Sequence, residues 1–465
     1  MATGFLQDLL NSISDQGRRL IQSGSGRAMT GRGMVELVEA VLSEKGEATG
    51  AALSLDTLQK LQSLSDTEKD AFFEALATAF GADPEALAKA IDAYQSDPSD
   101  ANAVRLHRAA ESRRQELLRR LNRAPGGTAA LVSLREDLLD RLRSDPALEP
   151  VDADFVHLLS SWFNRGFLVL ERIDWSTPAN ILEKLIQYEA VHEISSWDDL
   201  RRRIEPSDRR CYGFFHPVMG DEPLIFVEVA LTRKTPDAIA PILAEPEATD
   251  AEEFLPGEEA DTAVFFSISN CQRGLRGVSL GNFLIKQVVE ELSRELPKLK
   301  TFVTLSPVPG FMAWLRDLHA NSQGAVQPGL TSTQFDWLAQ GTWPGDPEKA
   351  EALEEALMPL AAYYFCHAKN RRGEPQDPVA RFHLGNGARL ERLCWLGDRS
   401  QHALREGAGF MVNYDYDKPA IVENHERFVR EGLVAASAPV RRLARRIQRS
   451  ETADTAEKAS ATDAV

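Results

Sequence analysis

Apolar residues recur at helical spacing through the first third of the chain. The stripe at 34–42 predicts an amphipathic helix, because its apolar side chains fall three or four positions apart. Ser65 and Glu68 form a capping-box pattern at the start of another helix, and Asp83-Pro84 predicts the start of the next. Residues 1–165 are therefore expected to form an all-α bundle used for assembly or support.

The pattern changes near residue 166, where β-prone runs begin to alternate with helical ones. Four such runs predict strands: 211–216, 224–231, 263–269 and 301–305. A helix is expected over about 279–295. The segment 166–450 is thus predicted to be an α+β domain, and the composition of 451–465 favours a disordered acidic tail.

Length and composition narrow the class of protein. The 465 residues suffice for two or three domains. The chain has no apolar run of about 18 residues, so no membrane span is expected, and its N-terminus lacks the apolar core of a cleavable signal. The four cysteines lie far apart, and no H-x-x-x-H or H-E-x-x-H spacing occurs. We therefore expect a soluble cytoplasmic protein with reduced thiols and no metal site.

The charge is unevenly distributed. The net charge is −17, but residues 241–261 hold eight acids and no base, and the tail from Glu451 has a net charge of −3. The remainder is only mildly acidic, which is compatible with a basic pocket for an anionic ligand. The basic run at 440–449 favours a solvated helix end over a nucleic-acid site, because no aromatic side chains are interleaved with its charges.

A glycine-rich loop follows the predicted strand at 263–269. Gly274, Gly277 and Gly281 precede the next helix, and Arg276 supplies positive charge beside them. Glycines that permit close approach and backbone N–H groups at a helix start favour binding of a phosphate. The spacing is neither that of the dinucleotide fingerprint nor that of a Walker A loop.

Three further positions could take part in chemistry. Ser306 ends a predicted strand, just before two prolines expected to stop the ladder, and could instead cap a turn or helix. His383 precedes a Gly-Asn-Gly turn and suits acid–base work or a structural role. Alternation at 409–416 predicts a strand carrying Asn413, Tyr414 and Tyr416, in which a tyrosine either serves the site or is buried with a hydrogen-bond partner.

Taken together, these segments resemble the malonyl-CoA decarboxylase family. Their order and spacing fit across about residues 150–430, and the helical N-terminal part fits as well. The matching segments are Phe265–Ser269, Gln272–Gly281, Leu305–Phe311, Phe382–Ala388 and Asn413–Tyr416. The order strand, Gln-Arg-Gly-x-x-Gly, helix also looks like the pyrophosphate loop of the GNAT acyl-CoA-binding fold.

The resemblance implies an N-terminal helical oligomerisation domain (1–165) and a GNAT-like mixed-sheet catalytic domain (166–450). The expected reaction converts malonyl-CoA to acetyl-CoA and CO2 without metal, biotin or another prosthetic group. The expected partners are these CoA thioesters and further copies of the chain, with a tetramer as the suggested oligomer, and no nucleic acid or membrane.

The resemblance also assigns residues. Ser306 and His383 match the catalytic positions, with His383 as proton donor and Ser306 orienting the carboxylate or relaying a proton. Tyr416 is a hydrogen-bonding partner. The CoA loop maps onto Arg276, Gly277, Val278, Ser279, Leu280, Gly281 and Asn282. A GNAT-type acyltransferase and a non-catalytic CoA-thioester sensor remain as alternatives.

Overall fold

The structure is a computed structural model that describes residues 31–44, 46–244, 257–278, 280, 284–321 and 330–447. The predicted tail at 451–465 and the acidic stretch 245–256 lie outside these ranges. The described residues form two compact units. The first runs to Val169 and includes Phe215–Leu224 and the described part of Cys271–Gly281; the second contains the rest.

The first unit is helical. Its α-helices are α1 Gly31–Ser43, α2 Glu47–Gln62, α3 Asp66–Ala79, α4 Pro84–Ser96, α5 Asp100–Ala110, α6 Arg113–Asn122, α7 Gly127–Arg141 and α8 Glu149–Trp162. The two predicted helix starts are confirmed. The Ser65 N–H donates to the Glu68 carboxylate at 2.9 Å, and the Asp83 side chain accepts two N–H groups at the start of α4.

A buried polar network fixes α6 against α8 in this unit. The Asp154 carboxylate on α8 accepts hydrogen bonds from Ser112, Arg114 and Gln115, at 2.6, 2.8 and 2.7 Å. A buried carboxylate is costly unless it is paired and hydrogen-bonded. Because Asp154 is both, its hydrogen bonds tie α8 to the start of α6.

The second unit is built on a mixed sheet. Its strands are β1 Val169–Ile173, β2 Arg209–Phe215, β3 Pro223–Thr232, β4 Thr262–Asn270, β5 Thr301–Thr304, β6 Ser306–Pro307, β7 Arg389–Cys394 and β8 Met411–Asp415. They lie in the order β1-β2-β3-β4-β5-β8-β6, and β7 also pairs with β8. β3 is antiparallel to β4, β4 is parallel to β5, and β8 is antiparallel to its three partners. The predicted helical region followed by an α+β mixed sheet is confirmed.

Helices pack around this sheet, and one apolar face buries Val264, Phe266, Val303, Leu305 and Met411 together. The helices are α9 Ala179–Tyr188, α10 Trp197–Ile204, α11 Ala240–Leu243, α12 Leu284–Glu295, α13 Phe311–Asn321, α14 Ser332–Gln340, α15 Pro347–Cys366, α16 Pro378–Gly385, α17 Gln401–Gly407, α18 Ile421–Glu431 and α19 438–447. None of the described helices is both long and apolar enough to cross a bilayer.

One sequence prediction near the site was wrong in detail. The prolines after Ser306 do not stop the ladder, because Ser306 and Pro307 form β6 and pair with Val412 and Met411 of β8. β6 lies at the end of the strand order, and an edge strand tolerates a proline that cannot donate. β5 and β6 keep one register against β8, since Val303 lies opposite Asp415 and Ser306 opposite Val412, and the Leu305 N–H between them donates to the Phe265 carbonyl of β4 at 2.9 Å.

Candidate active site

Ser306 is buried where the chain passes from β5 to β6. Its hydroxyl lies 3.0 Å from Nε2 of His383 and 2.8 Å from Oγ1 of Thr304, to which it donates. Thr304 ends β5 and lies two residues earlier, so both side chains project to the same side of an extended segment. This extended segment thus places the Ser306 hydroxyl against the imidazole and the Thr304 hydroxyl next to it.

His383 lies on α16, which a buried aspartate initiates. The Asp377 carboxylate accepts the Ala380 N–H at 2.8 Å, and Pro378 occupies the first turn, where its missing donor costs nothing. The helix places His383 inside the protein with 3% of its surface exposed. Both ring nitrogens are in hydrogen-bond contact, because Nδ1 lies 2.8 Å from the Tyr416 hydroxyl.

Two tyrosines contact the imidazole: Tyr414 lies in β8, and Tyr416 directly follows it. Tyr416 follows the strand, and its N–H donates to Phe302 at 2.8 Å. The Tyr414 ring stacks on His383 with 4.6 Å between ring centroids and an angle of 24°. The ring of His383 is therefore fixed by one hydrogen bond at each nitrogen and one aromatic face.

The hydrogen bonds define where the protons lie. Ser306 donates its proton to Thr304, so the Nε2–H of His383 must donate to Ser306. Nδ1 is then an acceptor, which agrees with Tyr416 as an O–H donor. The order of donation is Tyr416, His383, Ser306, Thr304, and we call these four residues the polar relay. It holds His383 as the neutral Nε2–H tautomer.

Burial sets the ionisation of the relay. Desolvation lowers the pKa of His383 to about 3, because no described carboxylate offsets the cost of a buried positive charge. Burial also raises the pKa of Tyr416 well above 10. Both groups are consequently neutral at pH 7. The relay is a set of neutral donors and acceptors, and an anion bound beside the imidazole would raise the pKa of the ring.

The structure brings together Ser306, His383 and Tyr416 of the residues that the sequence singled out. Arg276, Gly277, Val278 and Leu280 of the predicted CoA loop lie in the first unit. The other three predicted loop positions lie outside the described residues: Ser279, Gly281 and Asn282.

The described part of the loop is anchored to helix α7. Gly274 O accepts from Arg135 at 2.6 Å, and Gly274 N–H donates to Glu136 at 3.2 Å. A Cβ at Gly274 would lie 1.9 Å from the Val132 carbonyl oxygen. This glycine is therefore required for packing, and its N–H is already used. Arg273 is also paired, with Asp140 at 2.7 Å, whereas Arg276 is exposed and lies within 4.0 Å of no described carboxylate.

Thr304 is the functional residue that sequence reasoning missed. Its Oγ1 accepts from Ser306 and from the Tyr414 N–H at 3.1 Å, and its carbonyl accepts from Asn413 at 2.8 Å. The spacing of Thr304 and Ser306 on one strand was visible in the sequence as an i, i+2 hydroxyl pair. Only the pairing of β5 and β6 with β8 shows that both hydroxyls meet the histidine.

The described residues offer no group of three histidine, cysteine, aspartate or glutamate side chains arranged to hold a metal ion.

Comparison with known proteins gives consistent matches over most of the chain. Residues 166–456 match the family model of the malonyl-CoA decarboxylase C-terminal domain, and residues 80–163 match that of the N-terminal domain. A mitochondrial malonyl-CoA decarboxylase of Anser anser anser is 37% identical over 350 residues, which cover 70% of this chain and 68% of the relative.

Solved structures agree. The crystal structure of malonyl-CoA decarboxylase from Rhodopseudomonas palustris has a TM-score of 0.84 and 54% identity, covering 89% of this chain and 100% of that one. The enzyme from Agrobacterium vitis has a TM-score of 0.81 and 53% identity, covering 88% and 99%.

Proposed function

The chain belongs to the malonyl-CoA decarboxylase family of carboxy-lyases, and from that premise we propose how its own residues convert malonyl-CoA to acetyl-CoA and CO2. The observation that carries the proposal is the buried contact of Ser306 and Tyr416 with the two nitrogens of His383. The reaction loses CO2 from a malonyl thioester, leaves an enolate, and adds one proton to carbon. A fixed hydroxyl and a fixed imidazole can supply the orientation and the proton.

We assign Ser306 to the carboxylate of the malonyl group. In the described arrangement its proton points to Thr304. When the carboxylate binds, the Ser306 O–H rotates and donates to it. The Thr304 O–H can then donate to Ser306, because the contact of Thr304 with the Tyr414 N–H uses its oxygen and leaves its proton available. An unactivated hydroxyl is a poor base, so Ser306 acts as an orienting donor.

His383 is assigned as the proton donor to the α-carbon. Its ring is neutral without substrate because burial disfavours the charged form. The substrate carboxylate and then the developing enolate both favour the imidazolium form of His383. Substrate binding therefore promotes protonation of the residue that acts as the acid. Binding draws one proton from solvent onto Nδ1 of the ring. Loss of CO2 leaves the electron pair of the broken C–C bond on the α-carbon, the Nε2–H proton goes to that carbon, and the ring returns to a neutral form whose remaining proton is on Nδ1.

We place the CoA moiety at Arg276 to Asn282. The similarity of this segment to the family's CoA loop supports the assignment, and Arg276 has no described carboxylate partner to neutralise it. Arg273 is excluded as the main phosphate contact because it pairs with Asp140.

The decisive assay incubates the purified protein with malonyl-CoA and measures acetyl-CoA and CO2. Ser306→Ala and His383→Ala are each expected to lose most turnover while CoA binding survives. Full activity in both variants would contradict the residue assignment. Transfer of an acetyl group from acetyl-CoA to an amine, with malonyl-CoA left unreacted, would instead identify an acyltransferase.

We propose that residues 1–165 mediate homo-oligomerisation and that residues 166–450 carry out catalysis. We also propose a cytoplasmic location, although the curated relatives include mitochondrial enzymes. Fractionation of the producing cells, followed by immunoblotting, tests the location.

A further inference from the structure

A basic cleft lies in the second unit, formed by α15, α18 and α19 with the segments that connect them. It consists of two cavities of about 550 and 330 Å³ that share Leu433, Val434 and Arg441. Five cationic side chains line it: Lys369, Arg389, Arg427, Arg441 and Arg445. No carboxylate is found among the described residues that line either cavity. This is a strong local excess of positive charge in a chain whose net charge is −17.

Three of these cations lack an acidic neighbour. Arg389 pairs with Asp415 at 2.9 Å, and Arg427 lies 4.0 Å from Glu423. Lys369, Arg441 and Arg445, by contrast, have no carboxylate within 4.0 Å among the described residues. Lys369 donates to the Gly432 carbonyl at 3.3 Å, and Arg441 donates to that of Ala436 at 2.9 Å. Carbonyl oxygens fix the directions of these side chains but leave their charges uncompensated.

The walls between the cations are apolar. Leu433 is 44% exposed, and Val434, Ala435 and Ala444 continue the surface. A ligand that fits both features has several negative charges on a compact apolar body. Arginine forks bind phosphate oxygens in pairs, and cavities of this size hold small organic molecules.

We propose that the basic cleft binds a phosphorylated small molecule of nucleotide size, separately from the CoA thioester that the enzyme decarboxylates. Arg441 is central because it belongs to both cavities, and Lys369 and Arg445 flank the smaller one. The phosphates contact these three cations, and the apolar body lies against Leu433 and Val434. Binding in the basic cleft does not depend on the roles proposed for Ser306 and His383.

The test is calorimetric titration of the full-length protein with ADP, with adenosine as the uncharged probe. ADP is expected to bind saturably, to bind more weakly as NaCl rises from about 0.05 to 0.5 M, and to remain bound when malonyl-CoA is present. Adenosine is expected to show no saturable binding.

Arg441→Met and Lys369→Met are each expected to weaken ADP binding by about tenfold, since each removes a charge-assisted contact. The matched control is Arg442→Met, because Arg442 is an exposed neighbour on α19 that lines neither cavity. Thermal melts confirm that each variant is folded. The proposal is overturned if ADP shows no saturable binding at millimolar concentration, if malonyl-CoA displaces it, or if Arg441→Met binds ADP as tightly as Arg442→Met.

Discussion

At the scale of single residues, Thr304 decides where the Ser306 proton points. Its hydroxyl is the only described acceptor of that proton, and it is itself fixed by β8. It touches Ser306 and not the proposed reacting atoms, so it is a positioning residue. The sequence predicted the two catalytic candidates but not their orientation, because orientation depends on the pairing of β5 and β6 with the distant strand β8, which no local pattern encodes.

Replacement of Thr304 by valine should lower kcat by roughly 10- to 100-fold with a smaller effect on KM. Valine keeps the shape but leaves the Ser306 hydroxyl without its buried acceptor, and an unmet buried hydrogen bond costs about 1–3 kcal/mol. Steady-state assays of malonyl-CoA turnover measure the effect. Thr304→Ser restores the hydroxyl and should recover most of kcat. Equal losses in the two variants would point to packing instead of positioning.

The two tyrosines that contact His383 should respond oppositely to loss of their hydroxyl groups. Tyr416→Phe removes the donor to Nδ1, so kcat should fall about tenfold and the melting temperature should drop, because a buried acceptor loses its partner. The Tyr414 hydroxyl has no partner among the described residues. Tyr414→Phe keeps the stacked ring and should leave the melting temperature equal or higher. A destabilised Tyr414→Phe would show that its hydroxyl is paired in solution.

At the scale of elements, the start of α16 includes a carboxyl group whose charge is disfavoured. Burial raises the pKa of Asp377 to about 6, above the value near 3.9 of an unfolded chain. The folded state therefore binds more protons between these two values, and stability falls as the pH rises from about 4 to 6. The cost of capping the helix that positions His383 therefore develops across this window and is complete above it.

Asp377→Asn should therefore stabilise the protein at pH 8, by roughly 2–3 kcal/mol at most, and change little at pH 4. Asparagine caps a helix as well as aspartate does and carries no charge. The control is Asp346→Asn, which alters the same Asp-Pro start on α15 at a partly exposed position, where hydrogen bonds from Lys349 lower the pKa of the carboxyl group. Denaturant unfolding at the two pH values measures both. A stability gain for Asp377→Asn that is the same at pH 4 and pH 8 would exclude the buried charge as its cause.

The glycine loop shows that the position of an element can be predicted while the role of each of its glycines cannot. The sequence correctly predicted its position after β4. However, Gly274 is needed for close packing against α7, and Gly277 adopts a positive φ of 81°. Spacing alone cannot separate glycines that admit a phosphate from those that admit a helix backbone. The capping patterns at Ser65 and Asp83 succeeded because their partners lie within the same turn.

Gly274→Ala should destabilise the first unit by on the order of 3 kcal/mol, because its Cβ would overlap the Val132 carbonyl oxygen. Gly277→Ala meets open space and should cost only about 1 kcal/mol for the left-handed backbone. Urea unfolding of the full chain distinguishes these values. Similar losses for both variants would mean that α7 yields and the loop is not anchored there.

At the scale of the whole molecule, large apolar side chains on the helical unit are exposed to solvent, which is relevant to assembly. Ile91 and Tyr94 of α4 and Val104 of α5 are large apolar residues that are 38%, 37% and 50% exposed. The two helices pack against each other, so they present these side chains on one helical hairpin. Apolar groups near one another on a folded surface favour contact with a partner, which agrees with the proposed oligomerisation through residues 1–165.

The full chain is therefore expected to elute at a multiple of its 51.5 kDa mass in light scattering coupled to gel filtration. Ile91→Glu with Val104→Glu should lower that mass at micromolar concentration, because four charges enter each twofold contact and apolar area is lost. Val429→Glu is the matched control: Val429 is 64% exposed on α18, in the other unit, and its replacement should leave the mass unchanged. A monomeric parent protein would contradict the proposed oligomerisation. A double variant with the parent's mass would show that the assembly surface lies elsewhere. Turnover of malonyl-CoA by a dissociated double variant would further show that the polar relay functions within one chain.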